Sequence, residues 1–313
     1  MKHVLAIDGG GIRGIIPALV LAEVEKRTGK RVAQIFDLIA GTSTGGILAL
    51  GLSKDDGTGT PAYGAADLVK LYQKRGKEIF ARSLWKGVSS VGGVTDERYS
   101  EKGLENVLAE YFGSEPLGAA LTRVLISSYD IERREPHFFK SWREPWETVE
   151  MRHAARATSA APSYFEPALT PCGAETKVLV DGGVFINNPA VSAYAEAKKV
   201  FPEERDFLVV SIGTGQLTRP IHYAEARDWG RAGWMLPILS CVFDGVADAA
   251  NYQLQQILGD DFIRLQTSLN IASDDLDDAT DGNLQNLLSE ARKLIRMNKE
   301  KLEELCSRIG QGE

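Results

Sequence analysis

The amino-acid sequence predicts an α/β protein whose largely parallel sheet is covered by helices on both faces. Short apolar runs that read as strands recur at 3–7, 35–40, 123–129, 177–181 and 207–213, with helix-patterned stretches between most of them. Such alternation marks strand–helix–strand units and a parallel sheet buried on both sides. The chain has 313 residues, of which 43% are hydrophobic, 25% charged and 8% aromatic. That is the balance of an ordinary globular protein long enough for a substantial core, as one large α/β domain or two smaller ones.

The first strand, HVLAI, runs into Gly9-Gly10-Gly11-Ile12-Arg13-Gly14. After the glycines, Ile12, Ile15, Ile16, Leu19, Val20 and Val24 fall at i, i+3, i+4 spacing, one apolar helical stripe aimed at the sheet, and Gly29 is a helix stop. The second strand, IFDLIA, ends in GTSTGG and passes into the apolar ILALGL. Gly-rich loops at 54–64 and 87–96 flank a helical segment, 65–81; they read as connections, one of which gates a site in the sharper reading. After the 177–181 strand, Asn188 and Pro189 read as an N-cap and first helical residue. The acidic stretch 273–282 has Asp277, Asp281 and Gly282 at calcium-loop positions, but Ala279 and Leu288 occupy ligand positions, so calcium is not expected. A last helix, about 283–309, carries Leu284, Leu287, Leu288, Ala291, Leu294 and Ile295 on one face and is expected to dock on the core rather than on a membrane. No internal repeat or convincing linker divides the chain.

A formal net charge of −7 argues against a general nucleic-acid binder and against strong attraction to anionic lipid heads. Cys172, Cys241 and Cys306 are odd in number and far apart, which predicts free thiols and a reducing compartment rather than disulfides or zinc. The passage from Met1-Lys2 straight into a strand predicts no signal-peptide export, and no apolar run reaches the roughly 20 residues that cross a bilayer.

The G-x-G-x-x-G spacing at Gly9–Gly14 suits either a dinucleotide or an oxyanion, because both need backbone N–H groups near a negative oxygen at a helix start. A dinucleotide site requires an acidic residue ending the second strand. Here that strand ends in G-x-S-x-G, Gly41 to Gly45 around Ser43, the strand–turn–helix context of a nucleophile elbow. This sets aside a nicotinamide oxidoreductase. Two βα turns then cooperate: the glycine loop offers donors, and the second turn offers the serine with the Thr44 N–H. A base is still needed, and Asp181, before Gly182-Gly183, ends another apolar strand. The alternative base is a histidine. Ser43, Asp181 and His222 stand in the chain order of α/β-hydrolases, although His222 reads as a solvated loop residue, and His3, His137 and His153 as structural or surface residues.

The ordered triple DGGGIRG, GTSTGG and DGG resembles the patatin-like phospholipases, as do ATSAAPSYFEPA and VVSIGTG; the likeness covers residues 3–215 well and the rest loosely. It implies one domain over 1–313, with a helical part at about 230–309, and a three-layer α/β/α fold. It also implies a Ser–Asp dyad, Ser43 as nucleophile and Asp181 as general base, with no cofactor and no metal. By the same resemblance Gly9, Gly10, Gly11, Arg13, Gly14 and Thr44 serve the oxyanion or substrate, and Gly41, Gly45, Gly182 and Gly183 shape the turns. Arg13 is read as supporting the loop or an anionic head group, against a plain local cap or ion pair. Aspartate ordinarily titrates near 3.9 and is a weak base, so the dyad leans on geometry and oxyanion donors.

The implied reaction is hydrolysis of phospholipid or other glycerolipid acyl esters, of phospholipase A or lysophospholipase type, through an acyl-serine. The implied setting is cytoplasmic and peripheral at the membrane, reached by an apolar rim drawn from Phe80, Trp85, Trp142 and Trp146. The competing readings are a Ser–His–Asp carboxylesterase using His222, a nucleotide-regulated membrane-degrading effector, and a non-enzymatic storage or binding protein, against which the intact Ser43 and Asp181 count. Homo-oligomer formation is left open, and no nucleic-acid partner is expected.

Overall fold

The computed structural model describes residues 1–80, 101–216 and 220–310. In chain order its strands and helices are β1 (Lys2–Ile7), α1 (Ile15–Thr28), α2 (Val32–Ile35), β2 (Leu38–Thr42), α3 (Thr44–Ser53), α4 (Ala65–Ile79) and α5 (Glu101–Phe112). They continue with β3 (Arg123–Asp130), β4 (Glu135–Lys140), α6 (Met151–Thr158), β5 (Ala168–Cys172), β6 (Glu175–Asp181), α7 (Ala190–Val200) and β7 (Phe207–Ile212). The chain closes with α8 (Tyr223–Ala226), α9 (Arg231–Leu258), β8 (Phe262–Leu265), α10 (Asp281–Met297) and α11 (Lys299–Gly310).

The strands form one sheet in the order β5-β6-β3-β2-β1-β7-β8, with β4 also on β3. β1, β2, β3, β7 and β8 run parallel to their neighbours in that series, whereas β4, β5 and β6 are antiparallel additions. Strand residues alternate between two cores, as a pleated strand covered on both faces must. Val4, Ala6, Leu38, Ala40 and Val209 face a layer holding Ala190, Ala193 and Ala197 of α7 and Leu254 of α9. Leu5, Ile7, Ile39, Ile126, Leu208 and Val210 face the larger core that takes in α1, α3, α4 and α10. The result is the expected α/β fold, helices flanking a mostly parallel sheet.

The geometry around β3 places the site. β2 runs parallel along it and ends with Thr42 opposite Ser127, while β6 comes from the other direction and ends with Asp181 opposite Ser128. A strand has only two edges, and β4 occupies one of them from Leu125 to Asp130. β2 and β6 therefore share the other edge, end to end, and their last residues meet on neighbouring positions of β3.

Several local expectations change. The run 35–40 starts as a strand only at Leu38, because Ile35 closes the helical turn α2. The Asp37 carboxylate takes the His3 N–H at 2.9 Å and Lys2 Nζ at 2.8 Å. α7 begins at Ala190, one residue later than predicted, with Asn188 Oδ1 accepting its N–H at 3.0 Å. The terminal helix is two, α10 and α11, divided at Asn298, and its leucine stripe is buried in the core as predicted. The 54–64 loop is tied to itself by Asp55 and Asp56 side chains and stays a connection; the 87–96 loop lies outside the described residues. Among the described residues no helix is long and apolar enough to cross a membrane.

Candidate active site

At the turn from β2 into α3, Ser43 has φ 55° and ψ −125°, a conformation that a residue with a side chain adopts only when its surroundings force it. Two close approaches do so. A Cβ on Gly41 would run into the backbone of Gly45, and one on Gly45 into the Ile7 carbonyl at the end of β1. The Ser43 N–H donates to Thr158 Oγ1 at 2.8 Å, and that hydroxyl donates onward to the Ser127 carbonyl at 2.6 Å. Thr158 ends α6 and fastens the elbow to β3, a brace that no local sequence signal announced.

Asp181 is 2% exposed. Its Oδ1 accepts the Gly183 N–H at 2.7 Å, and the Ser43 hydroxyl favours the ionised carboxylate. Burial pushes its pKa up to about 7, with the Ser43 hydroxyl and the Gly183 amide pulling the other way. The structure thus places the two predicted residues on one pocket, with the Ser43 hydroxyl close enough to act on the Asp181 carboxylate. Gly182 packs on Ser127, leaving no room there for a side chain.

The glycine loop is held from several directions. The Gly9 N–H donates to the Asn187 carbonyl at 3.0 Å, its carbonyl accepts from Thr214 Oγ1 at 2.6 Å, and the Ile12 N–H donates to the Leu276 carbonyl at 2.8 Å. Gly11 sits at φ +57°, a left-handed conformation suited to glycine. This corrects the donor set: the Gly9 N–H is already used within the protein and is not available to a substrate oxygen. The N–H groups of Gly10, Gly11 and Thr44 take no acceptor among the described residues, and all three residues line the cavity described below. Gly14 lies against Thr44 and Tyr72, whose hydroxyls hydrogen-bond to each other, and does not line that cavity.

Arg13 is buried and donates from Nε to the Gly10 carbonyl at 3.3 Å. It supports the loop from behind and does not line the cavity, which removes the head-group reading. The neighbouring Asp8 makes a two-pronged ion pair with Arg264 of β8, at 2.9 and 2.5 Å, and Arg264 also donates to Ser211 Oγ at 2.7 Å. The sequence reading missed this clamp, whose partners stand 256 positions apart. The acidic stretch 273–282 serves the site through the Leu276 carbonyl, and Asp281 pairs with Lys77 at 2.7 Å.

Ser43 and Asp181 open into a mostly apolar pocket that Ile47, Ile79, Phe80, Leu104, Phe165, Phe243 and Leu276 also line. It is polar at the serine and apolar beyond it, the shape that takes an ester with a hydrocarbon tail. None of the four histidines lines it. His222 is exposed before α8, and His3 lies in β1. His153 stands beside Glu150, and His137 packs on Phe139 and Trp146, where burial lowers its pKa to about 4. The Ser–His–Asp alternative is therefore not assembled. Of the rim aromatics, only Phe80 reaches the site; Trp142 packs under the α7 layer, Trp146 lines a separate hollow with His137, and Trp85 lies outside the described residues. Among the described residues, no group of His, Cys, Asp or Glu side chains is arranged to hold a metal.

Comparison with known proteins shows the family. The family profile of the patatin-like phospholipases matches residues 5–194. The chain is 31% identical to patatin-like protein 4 of Arabidopsis thaliana, with 94% of this chain and 83% of that one aligned. It is 32% identical to patatin-04/09 of Solanum tuberosum, over 95% of this chain and 84% of that protein. Among solved structures, VipD from Legionella pneumophila aligns over 95% of this chain and 67% of its own, with 13% identity and a TM-score of 0.43. The chain belongs to the patatin-like phospholipase family and is an ester hydrolase of the phospholipase and acyl hydrolase class.

Proposed function

We propose that the protein cleaves carboxylic esters of glycerolipids, in the manner of a phospholipase A or lysophospholipase, through an acyl-Ser43 intermediate. The observation that carries the reading is that Ser43 and a buried Asp181, whose pKa is pushed up to about 7, line the same mostly apolar pocket. A base poised near the working pH offsets the usual weakness of aspartate, because proton transfer is most effective when the acceptor's affinity matches its surroundings.

Ser43 Oγ attacks the ester carbonyl while Asp181 takes its proton, and the carbonyl oxygen, now negative, is held by the N–H groups of Gly10, Gly11 and Thr44. The N-terminus of α3 adds its dipole to the same charge. The tetrahedral adduct collapses, Asp181 returns the proton to the departing alcohol or lysolipid, and the acyl group stays on Ser43. Water then repeats the sequence with Asp181 as base and releases the fatty acid. The apolar wall from Ile47 to Leu276 holds the acyl chain. In this reading the protein is a single domain over 1–313 that works in the cytoplasm at a membrane surface.

The test is fatty-acid release from p-nitrophenyl acyl esters and mixed phospholipid vesicles by the unmodified chain, Ser43→Ala and Asp181→Asn. Folded variants with no turnover support the dyad. Sustained hydrolysis by Ser43→Ala removes it.

A further inference from the structure

The first turns of α9 stand apart from the rest of the surface. Trp234, Ile238 and Cys241 fall at i, i+4 and i+7, so they share one helical face, and Trp234 and Ile238 are 36% and 47% exposed. Phe243 lies on the opposite face of the same helix, where it lines the Ser43 cavity and packs against Gly183. One helix therefore covers the site with one side and offers apolar groups to the outside with the other. Trp229 packs edge-on against Trp234, with ring centroids 5.2 Å apart, and Tyr223 and Ile221 just upstream are 81% and 41% exposed. Two turns beyond Cys241 the outer face carries the exposed Asp248, which separates this patch from the exposed Tyr252 further along the helix.

We propose that this face of α9 is the surface by which the protein docks on a lipid bilayer, with Trp234 and Ile238 inserted at the interface. The choice of occupant rests on the glycerolipid reading of the cavity: a substrate held in a bilayer must reach Ser43 from that bilayer, and the patch adjoins the cavity wall. The residue types agree, since tryptophan and tyrosine place an apolar ring and a polar edge at the depth of lipid head groups. The charge agrees as well. Arg227 and Asp228 pair with each other at 3.1 Å, and the chain carries a net charge of −7, so attachment comes from apolar insertion rather than from attraction to anionic lipid. This face replaces the rim expected at Trp142 and Trp146.

The experiment uses Ser43→Ala protein, so that binding is read without turnover, and cosedimentation with phosphatidylcholine vesicles, with and without phosphatidylglycerol. We expect partitioning onto phosphatidylcholine alone, changed less than about twofold by phosphatidylglycerol, and lowered at least about tenfold by Trp234→Ser with Ile238→Ser. In the otherwise unmodified chain the same pair of substitutions leaves hydrolysis of p-nitrophenyl butyrate intact, which shows that the fold and the cavity survive. Undiminished sedimentation of the double variant overturns the proposal. So does binding that requires phosphatidylglycerol, or a parent that elutes as a dimer and a variant that elutes as a monomer, which would assign the face to a second copy. Turnover by Ser43→Ala would remove the dyad reading and leave the vesicle result standing.

Discussion

Asp8 and Asp181 occupy the same kind of place and do different things. Each follows or ends a strand beside the glycine loop or the elbow, and each is almost wholly buried, at 1% and 2% exposure. Burial pushes both carboxyls upward. At Asp8 the Arg264 guanidinium grips both oxygens and pulls back against that rise; at Asp181 only a hydroxyl and an amide do so. The first carboxylate is fixed as a clamp between β1 and β8, and the second is left able to exchange a proton. Position at a strand end does not by itself make a base; the proposed role of Asp181 rests on burial with no compensating cation among the described residues.

The comparison breaks most sharply at the dyad. Asp181→Asn keeps the shape and removes the base, and Ser43→Ala removes the nucleophile. Each is expected to lower kcat/KM for a short-chain ester by about 10⁴ or more, measured by stopped-time release of p-nitrophenol. The same Asp181→Asn change is expected to stabilise the fold at pH 8. A carboxyl whose pKa rises from 3.8 to about 7 on folding weakens the native state as pH climbs between those values. The gain, on the order of a few kcal/mol, appears as a higher Tm at pH 8 and vanishes below about pH 3, where aspartate is protonated in both states.

The Asp8 side gives the opposite sign. Arg264→Leu leaves a buried carboxylate without its cation and is expected to cost about 3–5 kcal/mol, read from urea unfolding. Asp8→Leu combined with Arg264→Leu should recover most of that loss. A smaller effect belongs to the loop that both carboxylates flank. Gly11→Ala forces a side chain onto φ +57° and toward the Leu276 carbonyl. It should lower kcat by about 10²–10³, the usual cost of one lost oxyanion donor. His222→Ala should change kcat/KM by less than about twofold, since that ring does not line the cavity.

The parts of this architecture that the sequence made legible are those carried by short-range patterns. DGGGIRG, GTSTGG and DGG each join a strand to a tight turn, and an apolar run with a glycine at its end declares itself within a dozen residues. The strands that escaped notice lack that contrast: β5 alternates buried with exposed residues around Pro171, and β8 is four residues long. Contacts across the chain were invisible for a different reason. Nothing near Gly9 says that the Asn187 carbonyl takes its N–H, nothing near Ser43 points to Thr158, and Arg264 lies far from Asp8 in sequence. The antiparallel arrival of β6 was likewise hidden, because the same apolar run serves either direction. The basicity of Asp181 comes from burial, a property of the assembled molecule rather than of the residue.

The proposed base for Ser43 is the buried Asp181, which no cation opposes among the described residues. Its most direct test is the pH dependence of the acylation rate of Ser43 with a p-nitrophenyl ester, measured in a single turnover from pH 5 to 9. The rate should rise with pH as Asp181 loses its proton, with a midpoint at about 7. A rate flat across that range, or a midpoint near that of an ordinary exposed aspartate, would contradict the account.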